Sequence, residues 1–157
     1  MSDERNLKPV PVRKRTAARL GAIQVNYEIG MTDKNLKDAM TQFLTHYASD
    51  VASEMDVKKI DEGHFNELSA LMLDKQTELD ELISQRLEDG WSIDRQARHE
   101  LSTLRAAIAE LKFMPHIPAK AIISDYASLT DAYQGHVKFV NAIIDRISRQ
   151  LRIVEMS

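Results

Sequence analysis

The sequence predicts an all-α fold, a packed helical bundle, and three observations carry that reading. Apolar residues recur at three- and four-residue steps through most of the chain, no alternating strand pattern of useful length occurs, and glycine or proline falls where the periodic stretches end. The 157 residues fit one domain, since folding at this size hides roughly 70% of the surface the unfolded chain exposes.

Residues 1–12 contain Pro9 and Pro11 and no apolar period, so they read as a disordered or extended lead-in. A first helix is expected from near Thr16, with Leu20, Ile23 and Tyr27 on one face and Gly30 placed to end it. Thr32 or Asp33 can cap a second helix carrying Leu36, Met40, Phe43, Leu44 and Tyr47. From Ser49 to Lys59 the pattern loosens into a surface linker. Asp61 then caps a long helix marked by Phe65, Leu68, Met72, Leu79, Leu82, Ile83 and Leu87, with a kink near Asp74 and a stop at Gly90. Ser92 caps a helix with Ala97, Leu101, Leu104, Ile108 and Leu111 in its stripe. Pro115 and Pro118 bracket a tight connection into a helix with Ile122, Tyr126, Leu129 and Tyr133, broken by Gly135. The last helix starts near Val137 and buries Val140, Ile143, Ile144, Ile147 and Leu151.

Composition excludes several function classes. No apolar run approaches the roughly 18 residues that would argue for a membrane span, and no secretory signal is apparent, so the expected compartment is the cytoplasm. The chain has no cysteine, which rules out disulfides, thiolate metal sites and thiol catalysis. The histidines (His46, His64, His99, His116, His136) are scattered, and His99-Glu100 lacks the second histidine of a zinc-protease helix. The glycines are isolated and no Gly-Lys-Ser/Thr occurs, which argues against a phosphate loop. Glu78, Asp80 and Glu81 read as a solvated helix face. Neither an enzyme nor a cofactor is expected.

Charge is more informative. Lys8, Arg13, Lys14, Arg15 and Arg19 lie in a stretch without an acidic residue; residues 1–20 balance to +4, against −7 for the remainder. A basic segment on an acidic body can neutralise phosphates without binding every polyanion. Positive charge at a helix N-terminus opposes the macrodipole by a few tenths of a kcal/mol, a penalty that a purely structural helix would gain nothing from.

Four pieces in order complete the reading. Ala18-Arg19 leads to Gln24 and Tyr27; Leu104-Arg105-Ala106-Ala107 is followed by Glu110-Leu111; then come Ile117-Pro118-Ala119-Lys120 and Lys138-Phe139-Val140-Asn141 with Asp145. Over roughly Arg13 to Leu151 this combination resembles the NusB family of bacterial transcription antitermination factors. The resemblance implies two perpendicular three-helix bundles, about 14–88 and about 92–152, behind a flexible basic arm over 1–12. It implies binding without catalysis. The partners it implies are ribosomal protein S10 (NusE), the boxA element of nascent RNA, and the RNA polymerase antitermination complex with other Nus factors, acting chiefly in ribosomal RNA operons. By the same resemblance Arg13, Lys14, Arg15 and Arg19 meet RNA phosphates, and Lys120 and Lys138 extend the basic track. Phe139 offers a ring for stacking, Asn141 an RNA contact, and Tyr27 and Glu110 face S10. The rival reading is a helical protein-interaction module with a non-specific basic tail, and a homodimer stays open because an apolar patch would serve it equally well.

Overall fold

The computed structural model describes residues 9–87 and 98–157, and every described element is a helix. Gly90, Ser92 and Ala97, expected to stop one helix and start the next, lie outside the described residues. The fold divides into two compact units at Ala70/Leu71. That boundary comes earlier than the expected break near residues 88–92, because the segment after Lys75 packs with the helices that follow it.

In the first unit, α1 spans Pro9–Met31. It therefore starts seven residues before the expected Thr16, and Arg13 to Arg15 lie within the helix rather than ahead of it. Pro9 and Pro11 do not prevent this, because first-turn amides have no intrahelical acceptor and a proline there gives up nothing. Helix α2 (Leu36–His46) is capped by Asn35, whose side chain accepts from the Asp38 amide at 2.8 Å, and not by Thr32 or Asp33. Thr32 closes α1 instead, donating from its amide and its hydroxyl to the Glu28 carbonyl, each at 2.9 Å.

The expected linker contains a helix, α3 (Ala48–Glu54), which buries only Val51 and Ala52, too few apolar residues to show a period. It ends in a Schellman turn: Asp56 takes φ 58°, and Val57 and Asp56 donate to Ala52 and Ser53 at 2.9 and 3.0 Å. Asp61 caps α4 (Glu62–Asp74) as expected, accepting from the His64 amide at 3.1 Å. The core of this unit is built on close approach. The Phe43 and Phe65 rings stack at 5.1 Å, and a Cβ on Gly21 would stand 2.6 Å from the Phe43 ring, so only glycine lets α1 lie against that pair.

In the second unit, the long helix breaks at Lys75, near the kink expected at Asp74, and resumes as α5 (Gln76–Ser84). Helix α6 (Arg98–Phe113) is the central element, packed with α5, with α7 (Ala119–Ala132) and with α8 (Val137–Leu151). From Glu100 to Leu111 every residue of α6 except Arg105 is buried, and Ala106, Ala107 and Ala109 keep it thin enough to be surrounded. The acidic face of α5 is not simply solvated. Asp80 takes a two-pronged bond from Arg105 at 2.8 and 2.9 Å, and Glu78 pairs with Lys112. The turn after α7 is a second Schellman motif, with Gln134 at φ 62° and Gly135 donating to Thr130 at 2.9 Å.

A short terminal helix, α9 (Ile153–Met156), was not expected from the periodicity. Its Glu155 accepts from the Ala119 amide at 2.5 Å, capping α7, and from Arg152 at 2.7 Å. The Ala119 amide, and then the Arg152 guanidinium, hold the Glu155 carboxyl below its usual range. A depressed carboxylate pKa contributes stability that is complete above the unfolded value and is lost as pH falls through the folded one. Glu155→Gln is therefore expected to melt below the native protein at neutral pH and to converge with it in acid. A gap that stays constant on acidification would rule out the linkage.

Candidate nucleic-acid interface

Three consecutive cations, Arg13, Lys14 and Arg15, lie early in α1, each half-buried. Successive helical residues point about 100° apart, so the three fan around the helix end instead of forming a single stripe. The Nε atoms of Arg13 and Arg15 are shielded from solvent yet have no hydrogen-bond partner among the described residues. Buried donors are normally satisfied, so two unmet cationic donors at one helix end stand out.

Lys14 and Arg15 also line a groove of about 620 Å³ together with Lys59, Ile60, Asp61, Glu62 and Gly63. The Asp61 amide donates to the Lys14 carbonyl at 3.2 Å, tying the α3–α4 connection to α1. Lys59 was missed in the sequence because Lys58-Lys59, flanked by Asp56 and Asp61, reads as a solvated linker.

Arg19, expected among the phosphate contacts, is corrected. Its side chain is wholly buried and engaged within the protein, so it cannot reach a surface strand. It lies on nearly the same side of the helix as Arg15, four residues on, but one turn further along, where Ala17, Ala18 and Ala22 are also buried. Tyr27 is half-buried and likewise engaged. It does not line the neighbouring groove of about 230 Å³, which Gln24, Val25, Glu28, Gln42, Phe43 and Tyr47 form.

In the second unit, Lys138 is exposed, Phe139 half-buried and Val140 buried at the start of α8, as steps of about 100° carry the chain round from the wet side to the core. Asn141 is half-buried, and its Oδ1 is shielded without a partner, so it does not bond to local backbone through that atom. The turn that presents these residues is held by Glu100. Its buried carboxylate accepts from the His136 amide at 2.7 Å and lies 2.8 Å from His136 Nδ1.

Lys120 does not join them. Glu155, just beyond the end of α8, contacts the start of α7, so the two helices run antiparallel and Lys120 lies roughly 20 Å, one helix length, from Lys138. Glu110, expected to face S10, is corrected as well. It is wholly buried and accepts a hydrogen bond from the Tyr126 hydroxyl across the α6–α7 contact.

Among the described residues no cluster of three His, Asp or Glu could hold a metal ion, and no helix is long and apolar enough to cross a membrane. What remains at the surface is cationic and aromatic: Arg13, Lys14, Arg15 and Lys59 on one unit, Lys138, Phe139 and Asn141 on the other.

A sequence model of the NusB family matches residues 16–149. The transcription antitermination protein NusB of Allorhizobium ampelinum is 31% identical over 156 residues, 98% of each chain. That of Rhizobium etli is 30% identical over 155 residues, 97% of each chain. A crystal structure of antitermination factors NusB and NusE in complex with dsRNA superposes with a TM-score of 0.70 at 26% identity, over 88% of this chain and 98% of that one. NusB of T. maritima shares the fold, with a TM-score of 0.68 at 24% identity over 86% of this chain and 90% of that one.

Proposed function

The chain belongs to the NusB family, and we propose that it is a transcription antitermination factor that works by binding, pairing with ribosomal protein S10 (NusE) to recognise boxA RNA. The observation that carries this reading is the likeness, over nearly the whole chain, to a NusB seen with NusE and RNA. The cations left on the surface support it. Arg13, Lys14 and Arg15 supply phosphate contacts that position the strand, while Phe139 and Asn141, beside Lys138, offer a ring and an amide for a splayed base. Tyr27 contributes to the S10-facing surface. Arg19 and Glu110 support these surfaces from inside, and Lys120 lies off the Lys138 track. Nothing in this role calls for a nucleophile or a cofactor.

Fluorescence anisotropy of labelled boxA RNA and a scrambled control, with and without an S10 protein, tests the reading. Tighter binding to boxA, strengthened by S10, is the expected result. Equal, weak binding to both RNAs regardless of S10 would leave the family's fold with a different role.

A further inference from the structure

We propose that the groove between the start of α1 and the α3–α4 connection is a phosphodiester seat for RNA, with Lys59 as a third cation beside Lys14 and Arg15. The inference rests on the reading that this chain binds RNA and adds to it a site on a segment outside the basic run. Lys59 is placed rather than loose. Its neighbour Ile60 is 3% exposed, and the next residue, Asp61, donates its amide to the Lys14 carbonyl, so the Lys59 backbone is fixed alongside α1.

The floor of the groove is the first turn of α4, where the amides of Glu62 and Gly63 precede the first intrahelical bond. Gly63 leaves that turn open: a Cβ there would meet only Asp61 Oδ1, at 3.6 Å. Asp61 lines the groove and spends that oxygen on the His64 amide, but its carboxylate keeps its charge. Glu62, exposed, is the second opposing charge, so three cations face two carboxylates. Against them stands Arg15, whose shielded Nε has no acceptor among the described residues. Arg13, two positions and so about 200° round α1 from Arg15, lies outside the groove. Three cations spread over an open groove of this size suit the phosphates of a strand better than a single free ion.

The test is anisotropy of labelled boxA RNA from about 50 to about 200 mM salt, using the full chain and its Lys59→Ala, Lys58→Ala, Glu62→Gln and Lys14→Ala/Arg15→Ala variants. Each phosphate contact on a single strand contributes about 0.7 to the log–log salt slope, so Lys59→Ala should lose about that much, and its deficit should shrink about 2.6-fold across this range. Glu62→Gln should bind more tightly than the native chain. Lys58, exposed and outside the groove, should leave the slope unchanged. Lys59 and Lys58 are both exposed, so these variants are expected to melt with the native protein.

A native slope for Lys59→Ala, with a reduced one for the Lys14/Arg15 pair, would overturn the seat and leave RNA binding standing. A native chain without salt-dependent RNA binding would overturn the function itself. Inorganic phosphate replacing chloride at matched ionic strength should not displace the RNA. Displacement by phosphate that Lys59→Ala abolishes would assign the groove to the free ion instead.

Discussion

Arg152→Ala is expected to cost about 3–5 kcal/mol of stability, the range for stranding one side of a buried charged network. The side chain is 8% exposed, and its guanidinium gathers the end of α6: Nε donates to the Leu111 carbonyl at 2.8 Å, Nη2 to Met114 at 3.1 Å and Nη1 to Ile117 at 3.0 Å. Helix C-terminal carbonyls have no intrahelical donor, and inside a protein they have no water either. One planar cation with five N–H groups satisfies several of them at once, and it adds the favourable pole for a helix C-terminus. Glu155 completes the device by balancing the charge and capping α7.

For a chain of this size the loss corresponds to a melting temperature lower by roughly 6–20 °C. Arg152→Met should recover little, since it fills the volume but takes the donor from the Leu111 and Ile117 carbonyls, while Met114 keeps the Ile117 amide. Arg152→Lys should recover part, because an ammonium reaches some acceptors but not the whole fork. A thermal melt in which Arg152→Ala stays within about 2 °C of the native protein would mean that the carbonyls find other donors.

The helices with full stripes were legible in the sequence. Leu101, Leu104, Ile108 and Leu111 of α6 and Val140, Ile143, Ile144 and Ile147 of α8 are all buried, because apolar spacing is a local signal that tertiary packing then uses. The misses share one cause: the deciding partner lies elsewhere in the chain. Glu110 looks like a surface acid until Tyr126 supplies its hydrogen bond, and Arg152 looks like a solvated tail residue until the end of α6 folds against it. Arg19 belongs to the same group, a charge whose burial no local pattern announces. The α1 boundary failed differently. Proline argues for a break inside a helix, but in a first turn it breaks nothing.

Burial also separates the cations that can act on RNA from those that cannot, and this gives the second large expectation. Replacing Arg13, Lys14 and Arg15 together by Ala should reduce the log–log salt slope of RNA binding by about 2, at about 0.7 for each phosphate contact. If counterion release is the whole of their contribution and vanishes near 1 M salt, affinity falls roughly 500-fold at about 50 mM and roughly 30-fold at about 200 mM. Stability should change little. With α1 starting at Pro9 the three cations lie beyond its first turn, where the macrodipole penalty on positive charge has faded. Arg19→Ala is the contrast. Being wholly buried, it should lower the melting temperature while leaving the salt slope of the folded fraction near the native value. Paired titrations and melts of these two variants distinguish a surface that binds a polyanion from a core that supports it. An unchanged slope for the triple variant would remove α1 from the interface.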